Sequence, residues 1–254
     1  MNRHSLRLPV LILLSVFTII SCKKTNTLNP YPNNYRLLNV TRTATPSLSS
    51  LQIVNENYRF VYDNYNRVTQ VVYTTNNAAA SNTISYLTYV EDTIFKTTRF
   101  VNETLAEKDT FISDLRGHIT KSYILGQVTK YAYLVNLLSR VDYNDTNYVN
   151  YTSYNGNFLA AVSSLGPAYK GTFEFFTDKP NRNGDYLQLL SMFKFGQNIY
   201  QNSSLVRNIT VPGTIADITY VIDADNKVTK TTAVVTDSSG SYHTDVYQMQ
   251  YETY

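Results

Sequence analysis

The sequence predicts an all-β chain, an antiparallel meander of about twelve strands curling into a barrel-like or half-open sheet, with one short helix near residues 185–195. Three observations predict it. Tyrosine is very frequent, at 23 of 254 residues, while Trp is absent and Gly numbers only 9; Tyr, Thr and Val suit a pleated, half-buried surface. From Tyr35 onward apolar and polar residues alternate with a period of two. Turn signals of one recurring form punctuate the alternating runs.

In chain order, the first element is not part of that fold. MNRHSLR supplies a basic lead through Arg3 and Arg7, and Val10 to Ile20 form an apolar run too short to span a bilayer comfortably. A basic lead followed by a short apolar core reads as a secretory leader. The run ends at Ile19-Ile20-Ser21-Cys22, which resembles a bacterial lipobox, and Cys22 is the only cysteine of the chain. The resemblance implies a diacylglycerol thioether on Cys22 and cleavage before it, so that residues 1–21 are a lipoprotein signal peptide. The other reading of Cys22 is a free or buried thiol at the end of a single membrane anchor. Each buried lipid CH₂ contributes about 0.8 kcal/mol, so two or three chains hold firmly where one would not. With no second cysteine there is no disulfide, and the exported fold must stand on packing.

Residues 22–34 carry Lys, Thr, Asn and Pro without periodicity and read as a flexible tether of roughly 20 Å. No acid precedes Glu56. Surface-exposed lipoproteins of the Bacteroidetes type often carry acids just after the cysteine, so Cys22-Lys23-Lys24 favours the periplasmic face of the outer membrane. Loss of residues 1–21 leaves 20 Lys and Arg against 19 Asp and Glu, a balance that argues against nucleic acid as a partner. Residues 35–254 suffice for one β domain.

The clearest unit is YRFVYDNYNRVTQVVY, residues 58–73. Tyr58, Phe60 and Tyr62 share one face of a strand; Arg59, Val61 and Asp63 share the other. Asp63 suits the first position of a type I turn, because its carboxylate accepts backbone N–H bonds further along. Asn66 stands where a three-residue hairpin loop needs a left-handed residue. The unit recurs in residues 112–124, with Asp114, Gly117, His118, Ile119 and Thr120, and in residues 221–234, with Asp223, Asn226, Lys227, Val228 and Thr229. A looser copy puts Asn136, Ser139, Arg140 and Val141 in the slots of Asp63, Asn66, Arg67 and Val68. Residues 152–162 hold a copy one residue shorter at the turn. Such recurrence means hairpin after hairpin in a meandering sheet.

Tyr62-Asp63-x-x-Asn66-Arg67-Val68 resembles the YD repeat, whose usual form has Gly at the Asn66 position and Leu at Val68. The chain is more closely similar to a group of Bacteroidetes lipoproteins of unknown function with a porin-like fold, in which degenerate YD hairpins precede a DKPN stretch and a last YD hairpin. Here Asp178-Lys179-Pro180-Asn181 supplies the stretch and residues 220–236 the hairpin. The resemblance covers roughly residues 55–254 and implies a barrel-like fold. It transfers no catalytic residue.

GDYLQLLSMFKFG, residues 184–196, breaks the β pattern: Tyr186, Leu189, Leu190 and Phe193 recur at helical spacing, with Asp185 as N-cap and Gly196 as stop. So apolar a helix should be buried, filling or capping the concave side of the sheet. The last strand alternates Tyr247, Met249 and Tyr251 with Gln248, Gln250 and Glu252, and Tyr254 falls in the polar register. That pattern, with charges inside many strands, favours a water-soluble sheet over a transmembrane barrel.

No catalytic, metal or cofactor motif emerges. There is no G-x-S-x-G elbow, and Cys22 is consumed by lipid. His118 reads as an exposed strand residue in the Arg67 slot, and His243 in SYHTD as equally bland. Two distant histidines without cysteine partners give no zinc site. Of the carboxylate pairs, Asp223 and Asp225 fall in a turn, with Lys227 where a third calcium ligand would stand, while Glu107 and Asp109 fall in ETLAEKDT (103–110), read as a polar hairpin connection. Tyr86, Tyr89, Tyr131, Tyr133, Tyr148, Tyr151 and Tyr154 either pack a core or line a binding face. The expectation is a non-enzymatic, lipid-anchored envelope protein without cofactor, attached through acylated Cys22 and acting by binding or assembly with a glycan, lipid or envelope-protein partner. Its rivals are a hydrophobic-ligand carrier with a curved-sheet cavity and a glycan-binding or glycan-cleaving accessory lipoprotein.

Overall fold

The structure is a computed structural model and describes residues 35–46, 52–101, 103 and 106–254. The leader (1–21) and tether (22–34), Cys22 among them, lie outside the described residues. Sixteen strands follow one another. The first eight are β1 (Tyr35–Pro46), β2 (Val54–Tyr62), β3 (Val68–Thr75), β4 (Thr83–Val90), β5 (Thr93–Phe100), β6 (Ala106–Ser113), β7 (Ile119–Ile124) and β8 (Gln127–Leu134). Then come β9 (Leu137–Asp142), β10 (Tyr148–Tyr154), β11 (Asn157–Ser163) and β12 (Lys170–Pro180). The helix α1 (Tyr186–Phe195) precedes β13 (Ser204–Val211), β14 (Thr214–Ile222), β15 (Val228–Asp237) and β16 (Tyr242–Thr253).

Each strand pairs antiparallel with its neighbour in sequence, and β1 closes on β16 from Tyr35↔Thr253 to Pro46↔His243. The all-β meander with one helix therefore stands, but about twelve strands and a half-open sheet are corrected to sixteen strands and a closed barrel. The extra strands come from two-residue turns whose first position holds no usual turn residue. Glu91 (φ 51°), Leu125 (φ 49°) and Val135 (φ 61°) take the left-handed conformation that Gly or Asn normally supplies. Likewise, residues 106–110, read as hairpin connection, belong to β6.

Strand direction puts Tyr35, Thr253 and the turns at 63–67, 91–92, 114–118, 135–136, 155–156 and 223–227 at one end, here the terminal end. The long β12–β13 connection carrying α1 starts from this end too. Register shifts follow several of these turns one or two residues into the returning strand, at Thr69, Thr120, Ser139, Leu159 and Thr229. Such bulges bend the strand and sharpen its twist. They also let the residue before each, namely Val68, Ile119, Leu138, Phe158 and Val228, turn into the core, at 4% exposure or less. In the looser copy the turn is Val135-Asn136, so Leu138 takes the Val68 slot and Ser139 the bulge; the alignment of Asn136, Ser139, Arg140 and Val141 is corrected accordingly.

The inward face is mainly apolar, and the outward face is mixed, with exposed Phe95, Ile215 and Val221 among polar residues. Val40, Phe60, Val71, Leu87, Ile94, Phe111, Ile218 and Met249 are buried in the lumen, while Thr41, Asn57, Gln248 and Gln250 take the alternate, outward positions. Sixteen strands enclose more space than facing side chains fill, and α1 fills it. About 15 Å long, it crosses the lumen. Its Asp185 cap meets β13 and β14 through Val206 and Tyr220. Its last turn meets β5, where Lys96 Nζ donates to Lys194 O at 2.8 Å. Strands β14 and β5 lie on nearly opposite sides of the barrel. Between them Phe193 stacks on Tyr58 at 3.8 Å and lies 6.2 Å from Tyr247, and Phe195 meets Phe111 and Tyr131 edge-on. The buried face holds Tyr186, Leu187, Leu189, Met192 and Phe195. Leu190, expected on it, is 41% exposed.

The helix enters through a tight passage. Gly184 has φ 100°, and a Cβ there would lie 3.0 Å from Val228 Cβ and the Tyr251 hydroxyl. Two substitutions test the plug. Phe193→Ala removes the ring between Tyr58 and Tyr247 and should lower unfolding free energy in urea by about 3 kcal/mol. Gly184→Ala combines backbone strain with overpacking and should cost about 2 kcal/mol or more by the same measurement.

Candidate functional site

The repeated turns are built alike. Asp63 Oδ1 accepts the N–H of Tyr65 and of Arg67, each at 2.9 Å, and its Oδ2 accepts Arg67 Nε at 2.8 Å. Asp114 Oδ1 accepts the N–H of Arg116 (2.8 Å) and His118 (2.9 Å), with His118 Nδ1 3.0 Å from Oδ2. Asp223 Oδ1 accepts the N–H of Lys227 at 2.8 Å. Asn66, Gly117 and Asn226 hold φ of 65°, 81° and 63°. The residue after each left-handed position then lies against a tyrosine of the wall: Arg67 over Tyr89 (4.3 Å), His118 on Tyr133 (4.5 Å) and Lys227 over Tyr35 (4.3 Å). His118, expected to be exposed, is 5% exposed; its ring covers Tyr133 where Arg67 covers Tyr89, and this stacking buries it. All six turn residues thus serve the terminal end of the barrel, and the structure gathers none of them into a cleft.

Desolvation would raise the Asp63 and Asp114 carboxyls. The backbone and side-chain donors of Arg67 and His118, with the N–H groups of Tyr65 and Arg116, outweigh it and hold both below their ordinary value. A turn of the same geometry that sequence reasoning missed lies at the opposite end: Asp237 accepts the Ser239 hydroxyl and the N–H groups of Ser239 and Ser241, with Gly240 at φ 80°. Those bonds also lower Asp237. Its signal, Asp followed three residues later by Gly, was present in TDSSGSY.

Asp185 is the one fully buried acid among these. Oδ1 accepts the N–H of Leu187 (3.0 Å) and Gln188 (3.4 Å), capping α1. Oδ2 accepts the N–H of Val206 (3.0 Å) and the Tyr220 hydroxyl (3.1 Å), fastening the cap to the wall. Burial pushes its pKa up despite these donors.

The lumen holds a charged cluster that sequence reasoning passed over. Arg42 Nη1 donates to Glu56 Oε2 (2.8 Å) and Nη2 to Asp245 Oδ1 (3.0 Å), while Tyr73 and Tyr58 donate their hydroxyls to Glu56 (2.9 and 3.2 Å). Arg42 and Glu56 are opposite each other on β1 and β2, and Asp245 comes from β16; no local motif announces three residues so far apart in sequence. Two carboxylates brought together are what glycoside hydrolysis needs. Here, however, both are engaged by Arg42, and Asp245 is 3% exposed.

The remaining sequence candidates scatter. Asp225 is exposed and pairs with Lys227 Nζ at 3.1 Å. Asp109 points into the lumen opposite Lys96; burial raises its pKa and lowers that of Lys96. His243 Nε2 is 3.7 Å from Asp245. The tyrosines split between the two faces. Tyr89, Tyr131, Tyr133 and Tyr151 turn inward; Tyr86 and Tyr154 are exposed, and Tyr148 lies outside under Arg140 (3.8 Å). Among the described residues no cluster of His, Cys, Asp and Glu suits a metal ion.

A scan against protein-family models finds no match, and no curated protein matches. Among solved structures the chain is similar to a porin-like protein from Bacteroides uniformis ATCC 8492, at a TM-score of 0.63 and 13% identity, over 85% of this chain and 98% of that one. The likeness is one of fold.

Two outcomes follow from the turn and cap chemistry. Asp63, Asp114 and Asp237 have depressed folded-state values, so their stabilisation is present above the unfolded value of about 3.9 and is lost as pH falls through the lower folded value. The triple Asn variant should therefore show a flatter fall in stability below about pH 4 than the wild type in acid-titrated urea melts. Asp185→Asn turns an amide NH₂ toward N–H donors and should cost about 2–4 kcal/mol in the same melts at pH 7.

Proposed function

We propose that this chain is a lipid-anchored, non-catalytic protein of the bacterial envelope that acts by binding or assembly through the outside of its barrel. The observation that carries this reading is the lumen. An aromatic helix crosses it, held at its start by buried hydrogen bonds to Asp185 and at its end by Lys96, with Phe193 stacked on Tyr58 of the wall. A pore would need that space for water, and a carrier of acyl chains would need it for cargo. The outward faces of β1, β2 and β16 are polar, with Thr41, Thr43, Asn55, Asn57, Gln248 and Gln250, unlike the apolar band that lipid requires.

The envelope address rests on the lipobox-like Ile19-Ile20-Ser21-Cys22 and on the YD-like hairpins, with the porin-like neighbour as fold-level analogy. Lys23 and Lys24 behind the cysteine favour the periplasmic face of the outer membrane. The hydrophobic-carrier rival loses its cavity to α1. The glycan-cleaving rival has its paired carboxylates locked on Arg42. Glycan binding stands as the second reading, since Tyr86 and Tyr154 face solvent.

Two experiments test the proposal. Labelled fatty acid should enter the wild-type chain and not Cys22→Ser; equal labelling would refute the anchor. The purified protein should give no conductance steps in planar bilayers, and stable channels would overturn the packed-lumen argument.

A further inference from the structure

We propose that the outer wall of strands β4 to β8 is a binding platform for an acidic glycan. Its outward positions carry three half-exposed aromatics: Tyr86 on β4 at 42%, Phe95 on β5 at 46% and Tyr123 on β7 at 40%. Phe95, Thr110, Tyr123 and Val128 lie in one transverse row, each opposite the next. With strands about 4.8 Å apart, Phe95 and Tyr123 stand about 10 Å from each other, the length of a disaccharide. Tyr86 is two residues away from that row along β4 and lies under Arg99 at 5.8 Å. Rings spaced on a closed sheet cannot collapse onto one another, so each offers a flat face to the C–H face of a sugar ring.

The charge of the wall is one-sided. Arg99, Lys108, Lys121 and Lys130 point outward and are exposed. The two acids of β6, Glu107 and Asp109, fall in the inward register with Lys96 and Thr98, so these five strands place no carboxylate outside. Lys121 and Lys130 are directly opposite each other on β7 and β8, an arrangement that costs stability. Asp142, next across the sheet from Lys130, is taken by Arg140 at 2.7 Å. Among the described residues Lys108, Lys121 and Lys130 make no ion pair. Cations aligned without acids, interleaved with aromatic faces and Thr hydroxyls, match a chain of sugar rings carrying carboxylates. The choice of glycan over nucleic acid rests on the envelope address proposed above; the platform itself does not depend on Cys22.

The test uses the full chain in detergent, with oligogalacturonate as the acidic probe, a maltooligosaccharide as the neutral one and single-stranded DNA as a plain polyanion, read by calorimetry. Oligogalacturonate should bind, more weakly as salt rises, and the neutral sugar at least about tenfold less tightly. Charge reversal in Lys121→Glu with Lys130→Glu should weaken binding by about tenfold or more and flatten the salt dependence. Phe95→Ala with Tyr123→Ala should weaken it by about tenfold with the salt slope unchanged. All four side chains are outward, so thermal unfolding of both variants should match the wild type; for the charge pair, Lys121→Gln with Lys130→Gln is a milder second variant. Failure of oligogalacturonate to bind, or binding unaltered by both charge variants, would overturn the platform. So would DNA bound as tightly as the uronate chain together with no effect of the aromatic pair. Fatty-acid labelling of Cys22 is read separately, so loss of the anchor and loss of the platform are told apart.

Discussion

The structure depends on one constraint: a sheet of sixteen strands that closes on itself must fill its own middle. A small barrel is filled by the side chains of its wall, and a wide one leaves a void that water or protein must occupy. This chain spends its longest described connection, between β12 and β13, on a ten-residue helix laid across the lumen. Once α1 is there, other features acquire their reason. Asp185 is buried because the helix start abuts the wall, and it is tolerated because four donors converge on it. Gly184 is glycine because the passage between Val228 and Tyr251 has no room for a Cβ at φ 100°. Lys96 sits inside the barrel because the carbonyl end of α1 attracts a cation.

The terminal end solves a second problem. Turns that reverse the chain in three or four residues leave backbone N–H groups without ladder partners, and the Asp of each unit accepts them. The bulge that follows redirects the next apolar residue inward, so Val68, Ile119 and Val228 seal the lumen near its mouth. Thr69, Thr120 and Thr229, the extra residues, return their hydroxyls to the carbonyls of Val61, Ile112 and Val221 at 3.2–3.4 Å. Turn chemistry, bulge and core slot thus form one unit used several times around the rim.

A porin-like path of strands does not dictate which side of the wall meets oil. Side-chain alternation decides that, and a shift of one residue would exchange the two faces. Here Phe60, Phe111 and Phe158 go inward with the helix, while Gln, Asn, Thr and Lys go out together with a minority of apolar residues such as Phe95 and Val221. On the outer face Tyr86, Phe95 and Tyr123 stand in solvent.

What the sequence determined by itself was local. Alternation declared strands, Asp63-x-x-Asn66 and its copies declared turns, and Asp185 with Gly196 bounded a helix, because each depends on residues within a few positions of one another. Strand number escaped where Glu91, Leu125 and Val135 carry left-handed turns that their side chains do not advertise. Only the tertiary structure decided closure, the place of α1, the burial of His118 and the Arg42–Glu56–Asp245 cluster. Closure, the cluster and the place of α1 join groups brought together by the pairing of β1 with β16 or by packing across the lumen, and His118 is buried by its stack on Tyr133 of the next strand. A contact between residue 42 and residue 245 leaves no trace in either neighbourhood; it exists because sixteen strands meet end to end.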